Sequence, residues 1–204
     1  PGFEQGINGF ELVSTMKAQA ERFGAVFEMD ECMSVDFSGP VKKLETMVNG
    51  TIEARAVILA TGASARWLGL PNEQRLMGHG VSGCATCDGA FFRDKEVAVA
   101  GGGDTACEDA LFLAKLCSKV TLIHRRDALR ASKVMADRVL ASPKIEMAWN
   151  ATVADVLDRE GSVSGVVLRD TKTGEERTLP VSALFVAIGH TPNTGFLQGA
   201  IELD

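Results

Sequence analysis

Two cysteines lie three positions apart in the segment Cys84-Ala85-Thr86-Cys87. This spacing lets two thiols close a small disulfide ring, and such pairs often contain one thiol whose pKa is low enough to make it a ready nucleophile. Asp88 follows the pair directly, so its carboxyl could move a proton to or from a thiolate, or cap the next turn of the chain. With glycines on both sides, the pattern predicts a redox-active pair in a loop.

The same cysteine pair has two structural alternatives, half of a zinc site and an inert buried pair. No second CxxC occurs, and the three histidines do not have zinc-finger spacing, but His79 lies close enough in sequence to keep the zinc alternative open. The other three cysteines lie among apolar residues and are predicted to be small core residues. They are Cys32, Cys107 and Cys117.

A glycine turn between a predicted strand and a predicted helix is the second pattern with chemical meaning. Residues 97–100 form the strand, Gly101-Gly102-Gly103 the turn, and residues 104–117 the helix. Such a turn lets the backbone approach a pyrophosphate, and the helix N-terminus supplies free N–H groups and the positive end of a dipole. A plain glycine-rich turn between packed elements is the alternative. The residues predicted to hold the pyrophosphate are Gly101, Gly102, Gly103, Asp104, Thr105 and Ala106.

The next predicted strand, residues 120–123, ends in a basic cluster. His124-Arg125-Arg126-Asp127 follows the strand, and Arg130 comes a turn later. An NAD site usually has an acidic residue here, which would repel a 2′-phosphate, whereas guanidinium groups bind one by charge-assisted hydrogen bonds. The sequence therefore predicts NADP(H) rather than NAD(H). His124 is either a nucleotide contact or an ordinary strand-end residue.

The elements around these motifs predict an α/β protein. Residues 10–23 form an amphipathic helix that Gly24 ends, and the apolar run 56–60 is typical of a strand buried on both faces. Residues 69–93 are predicted to be irregular, and 132–141 to be a helix. Further strands are predicted at 26–27, 34–37, 41–48, 145–149, 153–158, 163–169, 177–181 and 184–188, with a hairpin turn at Thr173-Gly174.

Composition limits the class of protein. The chain has 204 residues, 46% of them hydrophobic, and a formal net charge of -6, which argues against nonspecific nucleic-acid binding. It has no apolar run long enough for a membrane span, and its first residues lack the pattern of a secretory signal. The five cysteines do not have the dense, even pattern of a secreted disulfide scaffold. We expect a cytoplasmic protein of one large or two small domains.

The motifs together resemble those of low-molecular-weight, bacterial-type thioredoxin reductases in order and spacing. The resemblance rests on the cysteine motif through Gly89, on the glycine turn through Ala106, and on the basic cluster through Ala131. Two motifs shared more widely among flavoproteins also match. They are Ala60-Thr61-Gly62-Ala63-Ser64 and Val186-Ala187-Ile188-Gly189-His190-Thr191-Pro192-Asn193-Thr194.

The resemblance implies a Rossmann-like NADPH-binding domain, residues 68–192, inserted in an incomplete FAD-binding Rossmann-like domain, residues 1–67 and 193–204. Electrons would pass from NADPH to FAD, then to the Cys84–Cys87 disulfide, then to thioredoxin. Cys87 would face the flavin, Cys84 would attack thioredoxin, and Asp88 would be the acid. Thr61, Gly62, Ile188 and Gly189 would flank FAD.

Two family features are missing from the sequence: the glycine loop that holds the FAD pyrophosphate, and a later Gly-Asp segment that contacts the flavin. FAD is therefore expected in a longer, complete protein, which the resemblance makes a homodimer. Two alternatives remain, the related flavoprotein reductase of a peroxidase system and a nonenzymatic NADPH-binding module. A ferredoxin–NADP reductase is disfavoured because it lacks the CxxC.

Overall fold

A computed structural model describes residues 2–203. Its contacts divide the chain into two compact units. The first contains the residues up to Ala60 together with the segment that starts at Thr194, and the second is Thr61–Asn193. Among the described residues, no helix is both long and apolar enough to cross a membrane.

The first unit has one helix and a three-stranded antiparallel sheet in the order β1-β2-β3. Its elements are α1 (Gly9–Arg22), β1 (Cys32–Asp36), β2 (Lys42–Thr46) and β3 (Gly50–Ala54). The side chain of Asn8 accepts a hydrogen bond from the Phe10 N–H and so caps the start of α1. A short 3-10 turn, Gly195–Leu197, buries Leu197. The predicted helix and the strands near 34–37 and 41–48 are confirmed.

Two strand predictions in this unit are wrong. Residues 26–27 and 56–60 are not in strands, and the Ile58 side chain is 94% exposed. A strand in the middle of a sheet needs neighbours that pair with its backbone, and no described strand pairs with residues 56–60. Strand β3 was not predicted, because Asn49-Gly50 indicated only a turn. Cys32 is half-buried on β1 rather than a core residue.

The second unit is built on a five-stranded parallel sheet in the order β5-β12-β6-β7-β8. Helix α4 connects β6 to β7, and α5 connects β7 to β8. The elements of this unit up to β8 are β4 (Ala63–Ala65), α2 (Pro71–Arg75), β5 (Val81–Ser82), α3 (Ala85–Asp88), β6 (Glu96–Gly101), α4 (Asp104–Leu113), β7 (Lys119–His124), α5 (Lys133–Leu140) and β8 (Ile145–Trp149).

Five more strands complete the second unit. An antiparallel sheet has the order β11-β10-β9, β12 joins the parallel sheet, and β13 pairs with β4. These strands are β9 (Ala151–Arg159), β10 (Ser162–Asp170), β11 (Glu176–Leu179), β12 (Leu184–Ala187) and β13 (His190–Pro192).

Strand β6 is buried on both faces, which explains its unbroken apolar sequence. Val97 and Val99 belong to a core cluster with residues of α4 and α5, whereas Ala98 and Ala100 belong to one with residues of β9 and β10. The unit therefore has three layers: helices, the parallel sheet and the antiparallel sheet. Because the chain leaves β6 towards β7 and returns on the other side as β12, the carboxyl end of β6 is a topological switch point, where α/β proteins bind ligands.

The predicted strand–turn–helix–strand pattern of this unit is confirmed, as are the helix near 132–141 and the later strands. Helix α4 ends at Leu113, so Cys117 lies beyond it, although both Cys107 and Cys117 are fully buried. The stretch predicted to be irregular contains β5 and the short helices α2 and α3. The pair β4 and β13 was not predicted, because three-residue strands give too little periodicity.

Candidate functional site

A disulfide joins Cys84 and Cys87, as the spacing predicted. Cys84 is the N-cap of α3, and the Cys87 N–H lies 3.2 Å from the Cys84 sulfur. The Ser82 hydroxyl, at the end of β5, accepts a hydrogen bond of 3.0 Å from the Cys84 N–H. The parallel sheet thus fixes the start of the ring. Cys84 is half-buried and Cys87 is exposed, which leaves the ring open to a reaction partner.

Asp88 is the last residue of α3 and is half-buried. It lines a pocket of about 120 Å³ together with Gly80, Ser82 and Phe92, among others. Its side chain makes no capping hydrogen bond to the 3-10 turn Gly89–Phe92. The structure therefore gives the cap no support, and proton transfer by Asp88 stays a prediction.

The zinc alternative finds no support in this part of the molecule. Within residues 2–203, no three His, Cys, Asp or Glu side chains are grouped as metal ligands. His79 is exposed, and both sulfurs of the pair are used in the disulfide.

The glycine turn follows β6 at the switch point. A Cβ atom on Gly101 would overlap the Ala187 carbonyl oxygen and the Ala106 methyl group, and one on Gly102 would overlap the His124 imidazole. Side chains are therefore excluded from both positions. Gly103 is the N-cap of α4 and provides no capping side chain, so the first amides of the helix stay free for an anion. The turn fits a dinucleotide pyrophosphate.

His124 is 9% exposed and packs against Gly102 of the turn. Burial lowers the pKa of its imidazole, and the nearby charges of Arg125 and Arg126 add to this, while backbone hydrogen bonds to Ala128 and Gly101 oppose the shift. Its Nδ1 atom lies 3.1 Å from the Gly101 carbonyl oxygen. Because a carbonyl only accepts, this contact is a hydrogen bond when Nδ1 carries the proton, and the buried Nε2 atom has no hydrogen-bond partner within residues 2–203. The ring also meets Trp149 edge to face, with centroids 6.3 Å apart.

The three arginines that follow β7 are exposed, and none forms an ion pair within residues 2–203. The neighbouring Asp127 lies 3.8 Å from the Lys172 amine. The arginine carbonyls, in contrast, are held: the Arg126 carbonyl accepts from the Asn150 N–H at 3.2 Å, and the Arg125 carbonyl from the Thr171 hydroxyl at 3.3 Å. A fixed backbone thus carries free guanidinium groups, as a phosphate site requires.

Asp104 has a partner that the sequence did not predict. Its Oδ1 atom accepts hydrogen bonds from the Ser132 N–H at 2.9 Å and the Ser132 hydroxyl at 2.8 Å. These bonds hold the pKa of the Asp104 carboxyl below its usual value. Thr105 is exposed and Ala106 fully buried, where a close contact between helix and strand needs a small residue.

The residues predicted to flank a flavin lie where β4 and β13 pair. The carbonyl groups of Thr61 and Gly62 accept hydrogen bonds from the side chain and the backbone of Asn193, respectively. The Gly189 carbonyl accepts one from the Arg66 N–H, and Ile188 is half-buried. These residues form a loop cluster without a glycine turn that opens a helix, so alone they do not fit an FAD pyrophosphate.

Sequence reasoning missed the residues that anchor these sites. They are Ser132, Asn150, Thr171 and Asn193. Ser132 left a signal, because serine directly before a helix is a common N-cap, and Asn193 lies in the motif of residues 186–194 that carries part of the resemblance. Asn150, Thr171 and Asn193 act through backbone groups that are distant in sequence.

The second unit thus carries a disulfide ring and an open glycine turn beside guanidinium groups that form no ion pair within residues 2–203. The family model described as pyridine nucleotide-disulphide oxidoreductase matches residues 6–204. The chain belongs to this family. A thioredoxin reductase of Streptomyces clavuligerus is a similar member, 51% identical over 204 residues that cover 100% of this chain and 63% of that protein.

Two further family members resemble the chain. A bifunctional thioredoxin reductase/thioredoxin of Mycobacterium leprae is 50% identical over 204 residues, which cover 100% of this chain and 44% of that protein. The solved structure of thioredoxin reductase from Giardia duodenalis has a TM-score of 0.83 and 38% identity, and covers 100% of this chain and 67% of that one. The resemblance stated from the motifs and the α/β, Rossmann-like fold class are confirmed. The chain spans less than two thirds of the length of both curated relatives.

Proposed function

We propose that the chain is the NADPH-binding and disulfide-bearing part of an NADPH-dependent thioredoxin-disulfide reductase. The observation that carries the proposal is the presence of the Cys84–Cys87 disulfide and the glycine turn in one compact unit, Thr61–Asn193. A nucleotide that delivers two electrons and a disulfide that accepts two are the two ends of such a reaction. The thioredoxin reductases that resemble the chain support the choice of substrate.

The residues that would hold NADPH each contribute a group of suitable chemistry. Backbone amides at the start of α4 bind the pyrophosphate, guanidinium groups bind the 2′-phosphate, and the His124 ring supports the turn. The binding set is Gly101, Gly102, Gly103, Asp104, Thr105, Ala106, His124, Arg125, Arg126 and Arg130.

The dithiol step uses the cysteine pair and Asp88. The Cys84 thiolate attacks one sulfur of the thioredoxin disulfide, forming a mixed disulfide and releasing the other sulfur as a thiolate. The Cys87 thiolate then attacks Cys84, which restores the Cys84–Cys87 bond and releases reduced thioredoxin. Asp88, in its pocket beside the pair, supplies and removes protons. Two electrons leave the pair, so it must be reduced again before the next turnover.

In the complete protein, bound FAD would supply the redox chemistry that links the two ends. Thr61, Gly62, Ile188 and Gly189 would flank it. The domain limits that go with this function are residues 1–67 and 193–204 for the FAD-binding part and 68–192 for the NADPH-binding part. A cytoplasmic homodimer without nucleic-acid or membrane partners completes the proposal.

The test is NADPH-dependent reduction of thioredoxin by the complete protein that contains this chain. Cys84→Ser should abolish thioredoxin reduction but leave reduction of the flavin by NADPH unchanged. Cys32→Ser is the matched control, because Cys32 is a half-buried free cysteine outside this unit. If Cys84→Ser keeps wild-type turnover, the disulfide does not carry the electrons and the proposal fails.

A further inference from the structure

The loop that carries the arginines is fastened to the glycine turn by hydrogen bonds that need no nucleotide. The Gly102 carbonyl accepts from the Arg130 N–H at 2.7 Å and from the Ala131 N–H at 3.1 Å. Next to it, Asp104 accepts two hydrogen bonds from Ser132. Three consecutive residues of the loop are thus bonded to the turn and to the first residue of α4.

The Asp104 backbone belongs to the start of α4 that would bind the pyrophosphate, but its side-chain carboxylate works against anion binding. It lies in the first turn of α4, where the free amides and the helix dipole would attract a pyrophosphate. A negative charge there repels the phosphates, so we expect the carboxylate to have a different role. The observed use is the pair of bonds to Ser132, which engage one carboxylate oxygen.

The same contact holds the backbone that carries the Arg130 side chain. Arg130 is two residues before Ser132. The hydrogen bonds that the Gly102 carbonyl and Asp104 accept therefore hold the two ends of the segment 130–132. A Cβ atom on Gly103 would lie 3.6 Å from an Arg130 guanidinium nitrogen. The guanidinium group therefore stands beside the turn, and within residues 2–203 it has no acidic partner.

We infer that Asp104 is a positioning residue for recognition of the 2′-phosphate: by holding Ser132 it keeps Arg130 beside the glycine turn, ready for the phosphate. The inference rests on the proposed NADPH site. It assigns Asp104 a part in choosing between NADPH and NADH, although its carboxylate acts on the protein rather than on the nucleotide.

The experiment measures the affinities of the 204-residue chain for NADPH and for NADH, and compares their ratio among variants. Arg130→Ala should lower the ratio about tenfold or more, because a charge-assisted contact to the 2′-phosphate is lost. Asp104→Ala should lower it about three- to tenfold by the same route. Asp104→Asn keeps an oxygen that accepts from Ser132, so it should keep the ratio. Asp137→Ala, which removes an exposed carboxylate on α5, is the control.

The double variant Asp104→Ala/Arg130→Ala separates positioning from a general structural role. If Asp104 acts through Arg130, the ratio for the double variant should equal that for Arg130→Ala alone. Equal losses of NADPH and NADH affinity in Asp104→Ala would show that Asp104 only supports the turn, and would overturn the inference.

Two further outcomes have a defined meaning. If Asp104→Ala does not fold, Ser132→Ala takes its place: it removes the hydroxyl donor but keeps the backbone bond, so the ratio should fall about twofold, and an unchanged ratio would contradict the inference. A wild-type chain without preference for NADPH would contradict the proposed NADPH site itself. This failure is distinct from a failure of the inference about Asp104, because it is seen without any variant.

Discussion

At the residue scale, the proposed recognition of the nucleotide depends on side chains whose types were visible in the sequence. The arginines at the end of β7 were predicted from their distance to the glycine turn, and the structure leaves them exposed on a fixed backbone. The residues that fix this backbone could not be predicted. Ser132 lies 28 positions from Asp104 and Thr171 lies 46 from Arg125, and sequence periodicity does not report on such pairings.

Replacing both Arg125 and Arg126 with alanine should weaken NADPH binding and leave NADH binding nearly unchanged. Each arginine loses a charge-assisted contact, at a cost of about 1.5–3 kcal/mol apiece. Calorimetric titration of each variant with both nucleotides measures the effect. Arg159→Ala, an exposed arginine at the end of β9, is the control. Equal losses for the two nucleotides would show that the pair does not read the 2′-phosphate.

At the scale of elements, the glycine turn and the end of β7 are packed as one piece. In Gly102→Ala the added methyl group would overlap the buried His124 ring. Trp149 also packs against this ring, edge to face. We expect destabilisation of about 1–3 kcal/mol, as for an overpacked core. Thermal unfolding and NADPH titration measure the two consequences.

A double-mutant cycle identifies the cause of that effect. In a His124→Ala background, Gly102→Ala should lower the free energy of unfolding much less than it does in the wild type, because the overlapping ring is gone. Gly195→Ala, where a Cβ atom meets nothing within 4 Å, is the control. If Gly102→Ala lowers the free energy of unfolding equally in both backgrounds, the imidazole is not what excludes a side chain at position 102.

Helix α4 carries a carboxyl group whose ionisation opposes folding. Burial raises the pKa of Asp109 to about 6, and the Glu108 charge contributes, while His190 lowers it. The folded state therefore binds this proton more tightly than the unfolded chain, for which the value is 3.8. The stability that this adds is full below about pH 4 and is lost as the pH rises through about 6.

Asp109→Asn should remove the loss of stability that the ionisation of Asp109 causes as the pH rises. The variant should be more stable than the wild type by roughly 1–3 kcal/mol near pH 7.5 and nearly equal to it near pH 4. Urea unfolding at the two pH values measures the difference. Asp137→Asn, at an exposed position on α5, is the control. A stability difference for Asp109→Asn that is the same at both pH values would contradict the assignment.

Elements with strong local patterns were predictable, and those that depend on distant partners were not. The strand–turn–helix–strand of the proposed nucleotide site was predicted because its apolar runs and glycines lie within 30 consecutive residues, 96–125. The run 56–60 looked like an interior strand, but a strand exists only where another pairs with it. Helix α4 was predicted too long, because Ala114 and Leu116 continue its apolar pattern after Leu113 ends the helix.

At the scale of the whole molecule, the first unit exposes a large amount of apolar surface. Helix α1 has no buried residue, and the Phe10, Phe23 and Val26 side chains are each 78% exposed or more. Contiguous apolar exposure is typical of surfaces that are covered by something else, or that aggregate.

The 204-residue chain on its own should bind NADPH but should not retain FAD. The second unit contains a complete strand–turn–helix for a pyrophosphate, and the described residues contain no second one. Purification followed by a visible absorbance scan, an NADPH titration and light scattering tests this expectation. We expect no flavin absorbance and some self-association. A yellow protein with stoichiometric FAD and steady turnover of thioredoxin would contradict it.

The most direct test of electron transfer to the Cys84–Cys87 disulfide is a count of free thiols in the complete protein before and after anaerobic addition of NADPH. The disulfide should open, so two new thiols should appear for each chain, and mass mapping should place both on Cys84 and Cys87, with Cys32, Cys107 and Cys117 unchanged. Reduction of the flavin without new thiols on this pair would contradict the account.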